Sequence, residues 1–255
     1  MKKLAIRLLI GLIVVIILGV LAVGLFLDSA IKHGVEKIGP MVTKTDIKLD
    51  SVSLSLLSGS GKVKGLVVGN PEGFKTPSAI QVGSASLALQ PGSLLSDKVV
   101  IKSIVVQGPE ITYETDLKSS NLKKLLANID AATGGDKQTA QTKSDKPAKK
   151  LQVDDFVISG AKVHLSLTIM GGKSATFPLG DIHLSNLGQG PDGITAGDLT
   201  KRMIEAIEAK TAEESKTVVA GLAKGAVDLG KDAGKAAADA AGKVTKGIGD
   251  LFKKK

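Results

Sequence analysis

The hexapeptide Ser51-Val52-Ser53-Leu54-Ser55-Leu56 constrains the fold of this chain more than any other stretch. Successive side chains on a strand point to opposite faces, so the alternation buries Val52, Leu54 and Leu56 on one side and gives the serines to water. It specifies a half-buried antiparallel strand. The same pattern recurs in Lys62 to Val68, Ile80 to Leu89, Val99 to Val106 and Ile111 to Glu114. Turn formers separate the runs: Ser58-Gly59-Ser60-Gly61, Gly69-Asn70-Pro71-Glu72-Gly73, Pro91-Gly92 and Gly108-Pro109. Residues 46–130 are therefore expected to form a β-meander closed by a short helix, with Asn121 as its N-cap and Leu122, Leu125, Leu126 and Ile129 as its apolar stripe.

Upstream, Met1-Lys2-Lys3 and Arg7 precede Leu8 to Leu27, an uninterrupted run of apolar residues and glycines. At about 1.5 Å per residue it covers the ~30 Å hydrocarbon core of a bilayer, so residues 8–27 read as one transmembrane helix. With cations before the run and Asp28 after it, the positive-inside rule puts residues 1–7 in the cytoplasm and the rest across the membrane. A cleaved signal peptide would have a shorter apolar region and an Ala-x-Ala-like end, which Phe26-Leu27-Asp28-Ser29-Ala30 does not supply. Residues 28–45 are expected to hold a juxtamembrane helix from Ser29 to Met41, stopped by Gly39-Pro40, and a connector.

Downstream, Thr133 to Lys150 contains no Val, Ile, Leu or aromatic residue, and residues 131–150 are expected to be a disordered, solvated linker. A second strand group follows over 151–197, with strands at Leu151 to Ser159, Lys162 to Ile169 and Ile182 to Leu187. Val163, Leu165, Leu167 and Ile169 share one face of the middle strand. The segments Ile104 to Ile111 and Phe156 to Val163 have the same form, an apolar triplet, a polar residue, a glycine, two residues and an apolar residue. That predicts an internal repeat, with the linker between two related hairpins.

Residues 198–255 are expected to be helical. Val218, Leu222, Ala226, Leu229, Ala233, Ala237, Ala240, Val244, Ile248 and Leu251 follow an eleven-residue repeat, which keeps one face of an α-helix aligned. The stripe is rich in alanine, and Gly221, Gly225, Gly230, Gly234, Gly242, Gly247 and Gly249 each cost up to ~1 kcal/mol against alanine. Such a helix needs a surface to receive its apolar face. A lipid surface, the chain's own sheet or groove, and a solubilising tail are the readings left open.

The residues carry little chemistry. A net charge of +9 with only 2% aromatic residues and no tryptophan favours anionic lipid over nucleic acid as a partner. The absence of cysteine excludes disulfides, thiolate metal sites and a cysteine nucleophile. His164 and His183 could meet over a metal if their strands paired, although a solvated strand face accounts for both. Asp154 and Asp155 are adjacent and point to opposite faces. No nucleophile, base and orienting group assemble, so no enzyme, cofactor or metal site is expected.

From Val52 to Leu126 the chain resembles the AsmA-like repeat proteins of Gram-negative envelopes. The resemblance rests on VSLSLLSGSGKVKGLVVGNPEGF (52–74), on Ser93-Leu94-Leu95-Ser96 followed by VVIKSIVVQGPEITYE (99–114), and on Asn121-Leu122 opening a helix; Leu151 to Leu187 resembles them more loosely. It implies an inner-membrane anchor, a periplasmic sheet bent into an apolar groove, and a role in phospholipid handling or envelope maintenance. The expected fold is α+β, mainly antiparallel β, with a curved amphipathic sheet and a long C-terminal amphipathic helix. Val52, Leu54, Leu56, Leu87, Leu89, Val163, Leu165 and Leu167 are the expected lipid-facing residues. Val218, Leu222, Leu229, Val244, Ile248 and Leu251 would carry the amphipathic helix. Membrane lipid is the expected partner, and a second envelope protein could add to a sheet edge. About nine strands at ~4.8 Å would give a sheet roughly 45 Å wide, short of an envelope-spanning conduit.

Overall fold

The structure is a computed structural model that describes residues 26–116, 118–133, 149–168 and 173–221. The expected membrane span up to residue 25, the linker over 134–148 and the eleven-residue repeat from Leu222 onward lie outside the described residues. Among those described, no helix is long and apolar enough to cross a membrane. The chain forms two compact units, Met1–Thr211 and Ala212–Lys255. In the second, residues 212–221, including Val218, are helical.

The first unit opens on helix α1 (26–43). Strands β1 (Ile47–Lys48), β2 (Ser51–Ser55), β3 (Ser60–Gly69) and β4 (Ser78–Leu89) follow. A 3-10 turn at Pro91–Leu95 leads into β5 (Lys98–Gln107) and β6 (Glu110–Thr115), then helix α2 (Asn121–Thr133). After it come β7 (Lys150–Ser159), β8 (Lys162–Leu167), β9 (Lys173–Pro178) and β10 (Ile182–Leu187), and helix α3 over 196–211. All ten strands belong to one sheet.

Register reduces these strands to six extended lines. β1 and β2 meet β3 in a single register, Ile47↔Val68 and Ser51↔Lys64. β5 and β6 likewise share one register on β4, Ala85↔Val106 and Ile80↔Ile111. β7 and β8 run parallel beside them without slippage, from Lys98↔Lys150 to Thr115↔Leu167. β9 and β10 then return antiparallel on β8 and β7, Lys162↔Pro178 and Ile182↔Ile158. The lines stand in chain order, and α2 lies in the crossover between the two that are parallel. The product is α+β, a mostly antiparallel sheet curled into a half-barrel. Its five interline gaps span roughly 24 Å, so the expected width of nine strands is corrected: pairs of short strands are single lines broken in the middle.

The break is a transverse rung. Continuing the registers across the gaps places Asp50, Gly65, Gly83, Gly108, Gly160 and Gly180 side by side, one from each line. Gly65, Gly108 and Gly160 have φ of 61°, 58° and 62°, the left-handed region in which an L side chain is strained. Each line gains a residue there, as at a β-bulge, so positions three apart face the same side. Leu49 and Val52, Val82 and Ala85, Val106 and Pro109, Ile158 and Ala161, and Leu179 and Ile182 are all buried. The two repeat segments are therefore not hairpins. They are parallel neighbours, creased together at Gly108 and Gly160, where the Gly108 N–H donates to Ser159 O at 2.8 Å.

Helix α1 closes one sheet edge. Its Asp28 Oδ1 accepts the Leu54 N–H at 2.8 Å, its Glu36 Oε1 accepts the Leu49 N–H at 3.1 Å, and its Lys32 Nζ donates to Asp50 O at 2.9 Å. Gly39-Pro40 does not stop it: the helix continues to residue 43, and Lys44 N–H donates to Pro40 O at 3.0 Å. Gly39 serves contact instead, since a Cβ there would lie 2.6 Å from Ile47 Cδ1. β9, with its polar Lys173-Ser174-Ala175-Thr176 and terminal Pro178, was not expected from the sequence and occupies the opposite edge line, where proline is tolerated.

Candidate functional site

The inner face of the half-barrel and the three helices border a half-open cavity of about 600 Å³. Its walls follow from the creased rungs. Val63, Ala85, Val106 and Ile158 form one row across four lines; Leu66, Val82 and Pro109 form the next beyond the crease. Ile31, Val35 and Ile38 of α1, Leu125 and Ile129 of α2, and Met203, Ile204 and Ile207 of α3 close it from the other side. Among the described residues, Thr43 and Thr200 are the only polar side chains in the lining, and no charged group is part of it. An apolar wall of this kind cannot hold a metal ion or a charged intermediate, because nothing replaces the lost hydration. It suits a hydrocarbon.

The expected lipid-facing residues divide. Leu87 lines the cavity. Val52 is buried opposite the lining residue Val63, and Leu54 reaches Leu87 across Gly61, whose absent Cβ would meet Leu54 Cδ2 at 2.5 Å and Leu87 Cβ at 3.3 Å. Leu54, Leu56 and Leu89 are half-buried and carry the apolar track from the cavity toward the turn at 56–59. Val163, Leu165 and Leu167 do not line the cavity; all are fully buried at the other end of the sheet, beside Ile111, Tyr113 and Thr115 of β6, against which α2 packs. Alternation identified their face, but the chain's own α2 lies over β6 beside them. Of the tail residues, Val218 is half-buried and Leu222, Leu229, Val244, Ile248 and Leu251 lie outside the described residues.

A buried polar cluster pins that closed end, and the sequence reading missed it. Glu114 is 2% exposed. Its carboxylate accepts the Lys75 N–H on both oxygens and the Thr76 N–H and Thr76 Oγ1 on Oε2, all at 3.0 Å. Asn121, fully buried, accepts the Glu114 N–H at 3.1 Å and donates to Thr112 O and Asn70 Oδ1, both at 2.7 Å. Asn121 is therefore not the N-cap of α2. Ser120 is, with its Oγ accepting the Lys123 N–H at 3.1 Å. The carboxylate is satisfied by the 70–77 loop and faces no substrate space. No local signal marks it: β6 opens on a second glutamate, Glu110, ends on Thr115, and the partners of Glu114 are distant in sequence.

The histidines stay apart. His164 Nδ1 meets Thr176 Oγ1 at 3.1 Å and its Nε2 lies 3.7 Å from Glu110, whereas His183 on β10 pairs with Asp155 on the neighbouring β7. Among the described residues no group of three metal-ligating side chains forms. Asp154 faces away from Asp155 and is engaged by Gln152 and Lys102, hydrogen bonds that hold its carboxyl below the usual range.

The family model described as the AsmA family matches residues 1–169. No curated protein and no solved structure matches the chain.

Proposed function

The chain belongs to the AsmA family, and from that premise we propose that it is an inner-membrane-anchored envelope protein that holds a phospholipid acyl chain in its half-barrel. Membership suggests work in the envelope; the reading of lipid handling is carried by the apolar cavity of about 600 Å³. That volume falls within the ~300–1,000 Å³ of small-molecule sites, and its lining is apolar apart from Thr43 and Thr200. The half-buried track of Leu54, Leu56 and Leu89 gives an acyl chain a path between cavity and solvent. The headgroup would stay outside, so the protein binds lipid without chemical change. Its bulk lies in the periplasm, following the charge bias around residues 8–27.

Native mass spectrometry of the full chain, released from mild detergent, tests this. Wild type is expected to retain phospholipid, and Leu87→Asp to lose most of it, because a carboxylate in that wall must be desolvated when a chain enters. Leu87→Met, of similar volume, is expected to retain it. Wild-type protein free of lipid would overturn the reading.

A further inference from the structure

The strand lines give the sheet two ends of different character. At one, the β2–β3 turn and the β4–β5 connection lie together, with the Leu89 N–H donating to Gly59 O at 2.6 Å. Leu57 projects from the turn, 82% exposed, and Leu95 from the connection, 95% exposed. Turn tips ordinarily carry polar residues, so two bare leucines on neighbouring connections call for a partner. Helix α1 begins at this same end, since Asp28 bonds Leu54 there while Gly39 packs on Ile47 at the far one. Phe26, 77% exposed, is a third apolar side chain here and belongs to the run Leu8 to Leu27.

Lysines and acids both stand around the apolar tips. Lys62, Lys149 and Lys150 are exposed at this end, with Lys149 Nζ donating to Leu94 O at 2.5 Å; the acids here are Asp28, Asp97 and Asp192, and Lys150 also shares a recess with Asp198 and Glu205. The far end presents the 70–77 loop, with Glu72 and Lys75 exposed.

We propose that this end is a membrane-docking rim. Leu57 and Leu95 enter the outer part of the bilayer spanned by residues 8–27, and the lysines meet its phosphates. The occupant is the bilayer that holds the anchor, identified by where the apolar run joins α1. The proposal goes beyond acyl-chain binding and holds with or without it.

The chain has no cysteine, so single cysteines report cleanly. Leu57→Cys, Leu95→Cys and, as control, Glu72→Cys are made in the full chain, spin-labelled, and reconstituted in vesicles of phosphatidylethanolamine and phosphatidylglycerol. Labels at 57 and 95 are expected to show an oxygen-to-nickel-chelate accessibility ratio several-fold above that at 72. Ratios equal to the control overturn the proposal, because both tips are then in water. Labels shielded from both reagents also overturn it, because protein then covers them. Lipid retained by the same variants in mild detergent before reconstitution, read by native mass spectrometry, separates this outcome from failure of the acyl-chain reading.

Discussion

Tyr113 is the chain's single tyrosine, and no tryptophan obscures it. Burial raises its phenol above the ordinary value and Glu208 adds to this, outweighing the hydrogen bond to Ser120 that lowers it. A phenol whose pKa rises on folding holds its proton more tightly in the folded chain. Its stabilising contribution is complete below about pH 10 and is lost as pH climbs through the folded value. Tyrosinate absorbance is therefore expected to rise later in the folded protein than in urea, and Tyr113→Phe to flatten the alkaline loss of stability. Coincident titrations would contradict this burial. Individual residues were the least legible level of the sequence. Nothing local distinguishes Glu114, aimed at the backbone of the 70–77 loop, from any polar strand end, because its partners lie 38 and 39 residues away. Asn121 was seen as a cap because Asn favours that role, yet Ser120 beside it is equally suited and left Asn121 to bridge β6 and the loop.

Among the elements, strand alternation was readable almost residue by residue, and it located β2 to β8 and β10. It did not show that β5 and β6 are one line, since a glycine between two alternating runs looks the same whether the chain reverses or passes through. The phase slip from Val106 to Pro109, repeated from Ile158 to Ala161, was the cue. At the crease, Gly108→Ala and Gly160→Ala are each expected to cost about 1–2 kcal/mol in denaturant unfolding, the strain of a left-handed L residue. Gly83, in the same rung with no atom within 4 Å of a Cβ and no positive φ, is the contrast. Gly83→Ala is expected to be neutral or to stabilise by up to about 1 kcal/mol through the unfolded chain. Equal costs at all three positions would mean that backbone conformation does not set the crease.

For the whole molecule, the half-barrel and the family were legible together, because order along the chain became order across the sheet. Which apolar face met solvent and which met α2 was not, since that depends on a crossover no pattern records. A reporter fused after Lys255 is expected to be active only on the side of the membrane opposite the N-terminus, as Lys2, Lys3 and Arg7 require; cytoplasmic activity would refute the orientation. The bonds from Asp28, Lys32 and Glu36 to the first strand line bear on a different question, that of assembly. A sheet that adds copies at both flanks polymerises, and one that adds them at neither is solitary. Among the described residues, the first flank is engaged by the chain's own helix, and the line of β9 and β10 is the flank left for a strand of a like molecule. Strand pairing through that one flank would be a terminating reaction: a groove lengthened in this way would double and stop rather than grow into a fibre.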